Sequence, residues 1–145
     1  MKKVNYSAKI KVRAPIVWNA LWDDENYKLW SSVFEPGSHA VTDWEEGSKV
    51  LFLSSTGEGM YSLIVKKIPN QLMSFQHMGV IKNREEKPLD EETRKWHGAK
   101  ENYTLKERDG STELSVDVDI VEEYFDFFNE TFPKALGKVK EISER

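Results

Sequence analysis

Between Glu122 and Arg145 the apolar residues fall at Phe125, Phe128, Phe132, Leu136, Val139 and Ile142. Steps of three or four put all six on one stripe of a helix. Back to about Ser38 no other segment has such a stripe; apolar and polar residues alternate there instead. One long helix therefore follows a run of strands, and its aromatic side needs a sheet to cover. A helix laid across a curved sheet encloses space, and that space is the expected site of function. Pro133 stands inside the helix and has no N–H for the Asn129 carbonyl, so a kink or break is expected there. The stripe stays in phase on both sides, which favours one bent helix with limbs Tyr124–Phe132 and Pro133–Ser143. The Phe limb is expected to border the cavity, and the aliphatic limb to seal the core beneath the first strand.

The rest of the chain supplies the sheet. Tyr6 to Val12 alternates, with Tyr6, Ala8, Ile10 and Val12 on one face. Ala14-Pro15 opens a short helix carrying Ile16, Val17, Ala20 and Leu21, since proline is at ease in a first helical turn. A second short helix covers Glu25 to about Ser31, and Glu35-Pro36-Gly37 is a turn. Strands follow at His39–Trp44, Lys49–Ser54, Met60–Ile68 and Leu72–Ile81, spaced as in an antiparallel meander. Residues 83–96, NREEKPLDEETRKW, read as a solvated loop with one helical turn, or as a lid over a cavity mouth. Gly98–Glu107 and Thr112–Ile120 form a hairpin around Asp109-Gly110, a strong tight-turn pair. The fold class is α+β: a curved antiparallel sheet of about six or seven strands wrapped around a long C-terminal helix, in a single domain spanning 1–145.

Period-two counting shows which polar groups face the helix. In the strand from Gly98, Glu101 shares a face with Ala99, Tyr103 and Leu105. In the strand from Leu72, His77 shares a face with Met73 and Phe75. In the strand from Met60, Tyr61, Leu63 and Val65 are assigned inward, against Ser62 and Lys66. Leu114, Val116, Val118 and Ile120 add an entirely apolar row. The inner face is thus apolar apart from Glu101, His77, Tyr61 and Tyr103. A buried carboxylate is costly unless paired, so Glu101 and His77 either close a structural network, orient a ligand, or act as an acid/base pair. Trp96 is assigned as an anchor for the charged loop.

Composition narrows the partners. Of 145 residues 39% are hydrophobic and 12% aromatic, enough for a real core. The net charge is −4 and no Lys/Arg run exceeds two, which argues against nucleic acid and against an anionic membrane surface. With no cysteine there is no disulfide or thiol chemistry. The N-terminus lacks the apolar stretch of a signal peptide, and no run approaches the roughly 20 apolar residues that span a bilayer. A soluble cytoplasmic protein is expected. There is no phosphate-binding loop, no triad signature, and no metal-ligand spacing among His39, His77 and His97. No cofactor or metal is expected.

The segments IKVRAPIVWNALWDDENYKLW (10–30), GMYSLIVKKIPNQLMSFQHMG (59–79), WHGAKENYTL (96–105) and FFNETFPKALGKVKEI (127–142) carry a resemblance. In content and order they resemble the START-like (SRPBCC) superfamily, and within it the AHSA-type bacterial proteins similar to the activator of heat-shock-protein-90 ATPase. A polyketide-cyclase-like member is a neighbouring resemblance. The resemblance implies the helix-grip fold and a hydrophobic cavity for lipids, polyketides or similar molecules. It brings no universal catalytic set, so the candidate contacts rest mainly on strand parity: Trp30, Phe52, Tyr61, Leu63, Phe75, His77, Glu101, Tyr103, Val116, Phe128 and Phe132. The leading expectation is non-catalytic binding of a small hydrophobic ligand. One alternative is a cyclase-like or hydrolase-like enzyme using His77 and Glu101. The other is a protein partner, such as an Hsp90-type chaperone, with a role in stress response.

Overall fold

The computed structural model describes all residues, Met1–Arg145. Strand β1 (Lys2–Ile10) leads into helices α1 (Ala14–Trp22) and α2 (Asp24–Ser31). Strands β2 (His39–Val41), β3 (Lys49–Leu53), β4 (Gly59–Ile68), β5 (Leu72–Lys82) and β6 (Glu85–Glu86) follow. A short helix α3 (Glu91–Arg94) precedes β7 (Lys100–Arg108) and β8 (Ser111–Ile120), and a 3₁₀ turn at Glu122–Tyr124 runs into α4 (Phe125–Ser143). The strands form one antiparallel sheet in the order β1-β8-β7-β5-β4-β3-β2, with β6 paired to β5. This curved sheet with its long closing helix is the helix-grip architecture. It has eight strands rather than six or seven, because two residues of the charged loop, Glu85 and Glu86, pair with Lys82 and Ile81. The strand expected at His39–Trp44 shrinks to three residues.

Local chemistry sets the element ends. Pro15 occupies the first turn of α1, and the Glu107 carboxylate accepts the Ala14 N–H at 2.8 Å, filling the helix N-terminus from β7. Asp23 caps α2 by accepting from the Asn26 N–H. Asp109 and Gly110, at φ 54° and 80°, make the two-residue turn between β7 and β8, a conformation that glycine enters without steric cost. Helix α4 runs unbroken through Pro133, so one helix is formed rather than two. The Asn129 carbonyl that Pro133 leaves without a donor belongs to an exposed residue, where water can satisfy it.

The core divides along the molecule. Under the second half of α4, Ala135, Leu136, Val139 and Ile142 are buried with Ile10, Leu114 and Val116. Beside it lies an aromatic cluster centred on Trp22, whose ring meets Trp18, Tyr27, Trp30, Trp44, Phe75 and Tyr103 at centroid distances of 5.0–6.5 Å. Tilted and edge-to-face rings of this kind add stabilisation beyond their buried area. Most of the tryptophans therefore serve packing. The Trp22 indole N–H is buried without a partner, a cost of about 1–3 kcal/mol that the surrounding rings must offset.

Candidate ligand cavity

Beyond the Trp22 cluster the first half of α4 stands away from the sheet, leaving a cavity of about 730 Å³. It is lined by 26 residues, 16 of them hydrophobic. Tyr124, Phe127, Phe128 and Phe132 form its roof. Helix α2 and the loop after it contribute Tyr27, Trp30, Ser31 and Phe34. The sheet contributes Phe52, Met60, His77, Ala99, Glu101, Tyr103, Val118 and Ile120. Trp96, half-buried just after α3, closes one side of the mouth.

One hydrogen-bonded chain crosses the floor. The Ser62 hydroxyl lies 2.7 Å from His77 Nδ1, and His77 Nε2 lies 3.0 Å from Glu101 Oε1. The Tyr103 hydroxyl donates to the other Glu101 oxygen. A carboxylate only accepts, so Nε2 carries the proton; in the neutral ring Nδ1 then accepts from Ser62. The backbone makes this arrangement. His77 exchanges bonds with the segment before β7 (its N–H to the Ala99 carbonyl at 2.8 Å, the Gly98 N–H to its own carbonyl at 2.7 Å), which brings Glu101 alongside. Both phenols nearby are shifted upward. Burial comes first for Tyr103 and for Tyr27, and the facing Glu101 charge adds to it, so each stays protonated well beyond the ordinary tyrosine range. The Ser31 hydroxyl, 4% exposed, faces Tyr27 without closing a normal hydrogen bond and has no partner.

Seven of the sequence-derived candidates line the cavity: Trp30, Phe52, His77, Glu101, Tyr103, Phe128 and Phe132. Four do not. Phe75 and Val116 are inward as expected but buried in the core beside the cavity. Tyr61 and Leu63 are on the wrong side: the inward residues of β4 are Ser62 and Ile64, both fully buried, while Val65 is exposed. Two register shifts interrupt the pairing of this strand with β5. One falls at Tyr61/Ser62, where Met78 is the extra residue, and one at Ile64/Lys66, where Val65 is. Tyr61 lies on the outer face over Gly79, where a Cβ would come within 2.8 Å of its ring, and Lys49 sits 5.6 Å from the ring centroid. Phe125 packs against the core instead of bordering the cavity, while Phe127, off the expected stripe, reaches the mouth. Trp96 is a cavity wall rather than only a loop anchor. The Lys95 ammonium next to it bonds Glu92 at 2.9 Å and approaches Glu123 at 3.6 Å, linking α3 to the turn that precedes α4.

No group of three or more His, Asp or Glu side chains is arranged to hold a metal ion. No helix is long and apolar enough to cross a membrane.

Neither a protein-family model nor a curated protein sequence matches the chain. Solved structures do. Protein MLL2253 from Mesorhizobium loti superposes with a TM-score of 0.78 at 13% identity, covering 99% of this chain and 98% of that one. The Aha1 dimer from Colwellia psychrerythraea gives 0.72 at 19% identity over 97% and 95%. DynU16, a protein of the dynemicin biosynthetic locus, gives 0.71 at 13% identity; it covers 99% of this chain but only 48% of its own. These likenesses establish the helix-grip fold. At such identities function is carried by the site and not by the fold.

Proposed function

We propose that the protein binds a small hydrophobic molecule in the cavity between α4 and the sheet, without transforming it. The observation that carries this reading is the cavity itself. At about 730 Å³ it falls in the range of roughly 300–1,000 Å³ usual for ligand sites. Ten of its 26 lining residues are aromatic, and three of its polar residues are joined in one hydrogen-bonded chain, Glu101–Tyr103–His77. The fold shared with an Aha1 protein and with DynU16 agrees with an AHSA-type or biosynthesis-associated binding module.

The acid/base alternative keeps one supporting observation: His77 and Glu101 are 3.0 Å apart, within the reach that proton transfer needs. The rest of the geometry weighs against it. Both His77 nitrogens are engaged, one by Ser62 and one by Glu101, and little of the His77 ring is open to the cavity it lines. A general base needs a free lone pair aimed at substrate, which His77 lacks; of the pair only Glu101 keeps one, and it has no second free acid/base group to work with. A chaperone-binding role calls for an exposed apolar patch rather than a deep cavity. Of the large apolar residues at the mouth, only Tyr124 and Phe127 are freely exposed.

A neutral fluorescent probe, N-phenylnaphthylamine, tests the proposal. Its emission should rise on mixing with the protein and saturate at one probe per chain. Met60→Trp, which fills part of the cavity, should weaken the rise by about tenfold in affinity. No rise, or an unchanged rise in a folded Met60→Trp variant, would falsify ligand binding at this site.

A further inference from the structure

We propose that the cavity selects its ligand by charge, accepting an aromatic-bodied amphiphile whose polar end is an amine or hydroxyl donor and rejecting carboxylate and phosphate heads. The inference rests on the ligand-binding reading above and adds the chemistry of the polar end.

No lysine or arginine is among the lining residues, whereas Glu35, Glu58, Glu101 and Asp119 are. Lys95, next to the lining residue Trp96, is already paired with Glu92 and Glu123. Of the two lining histidines, His77 has both ring nitrogens engaged, and His39 Nδ1 lies 3.1 Å from the Gly37 carbonyl. An anionic head would therefore enter an acidic mouth and reach a floor carboxylate with no cation to meet it, where burying a charge is most costly.

A donor head meets the opposite situation. Each Glu101 oxygen accepts one protein hydrogen bond, from His77 or from Tyr103, and each has a further lone pair. The Glu101 side chain is 19% exposed, through the cavity it lines. An ammonium head can use these Glu101 lone pairs and lie against aromatic faces, which attract cations. The His77 and Tyr103 bonds hold Glu101 in place beforehand, so little side-chain freedom is lost when the ligand binds.

Three compounds with one body and different heads test this: phenylhexylamine, phenylhexanol and phenylhexanoate, titrated calorimetrically at about pH 8, where the amine is protonated and the acid ionised. The amine should bind about tenfold or more tightly than the carboxylate, with the alcohol between them. Glu101→Gln keeps the shape and removes the charge, so it should bring the amine down to the alcohol's affinity while leaving the alcohol nearly unchanged. Carboxylate binding as tight as amine binding would overturn the charge selection while leaving the ligand-binding reading intact. An amine preference that persists in Glu101→Gln would overturn Glu101 as the anchor. Failure of all three compounds to bind would overturn both readings together. If Glu101→Gln does not fold, the three-way comparison on the unaltered protein still decides.

Discussion

The two halves of α4 carry the same amphipathic stripe and meet the sheet in different ways. In the second half Ala135, Leu136 and Val139 are at most 2% exposed in the closed core, with α4 packed along β1. In the first half Phe132 is buried, but Phe128 is half-buried, and Tyr124 and Phe127 are 42% and 47% exposed around an open cavity. Large rings roof the cavity at one end, and compact aliphatic chains fill the core at the other. Phe132 is the boundary: it roofs the cavity, yet it stacks on Tyr6 at 4.8 Å, and Tyr6 donates to Asn129 at 2.6 Å. A stripe of equal hydrophobicity therefore does not mean equal packing. The volume and shape of the side chains decide which part of the helix is core and which part is site.

This contrast can be broken most forcefully in the closed half. Leu136→Ala should cost about 2–5 kcal/mol in urea unfolding, because a fully buried site collapses poorly around a deletion. Probe affinity of the remaining folded protein should not change. Phe128→Ala should do the reverse. Being half-buried beside existing empty space, it should cost only about 1–2 kcal/mol, while probe affinity falls about tenfold. Similar stability losses for the two variants would erase the distinction between the halves.

The cavity floor makes a pH prediction. Tyr103 and Tyr27 have folded values above the unfolded value of 10.0, so the folded state holds their protons more tightly. Stability from these phenols is complete below about pH 10 and is lost as pH rises past it toward the folded values. Denaturant midpoints should therefore fall with rising pH above that point, and Tyr103→Phe should flatten the fall. A steeper fall in Tyr103→Phe would contradict the assignment. The smallest effect belongs to the mouth: Phe127→Ser should change stability by no more than about 0.5 kcal/mol, read from the same urea midpoint.

Much of this layout was legible in the chain. The helix stripe, the inward row of β8, and the inward placement of His77, Glu101 and Tyr103 all follow from period. Strand β4 was not, because it carries apolar residues at both parities. Tyr61, Leu63 and Val65 look like a core row, and the Ser62 that faces inward looks like a surface residue. Only the pairing partners decide between them: Ser62 is set opposite the inward His77 and Ile64 opposite Phe75. Tyr27, Ser31, Phe34 and Trp96 were missed as cavity walls for another reason. They come from α2, its following loop and the α3 segment, whose position over the sheet is set by tertiary packing and leaves no periodic trace. Phe75 and Val116 had the right face but the wrong half of the molecule, since strand parity says nothing about position along the helix axis.

Amide chemical shifts along α4 during titration with phenylhexanol test the central claim most directly. The account predicts saturable shifts at residues 124–132 and on the facing parts of β5 and β7, with little movement at residues 136–142. Shifts spread evenly along the helix, or confined to the outer face of the sheet, would contradict a cavity that lies under the aromatic half alone.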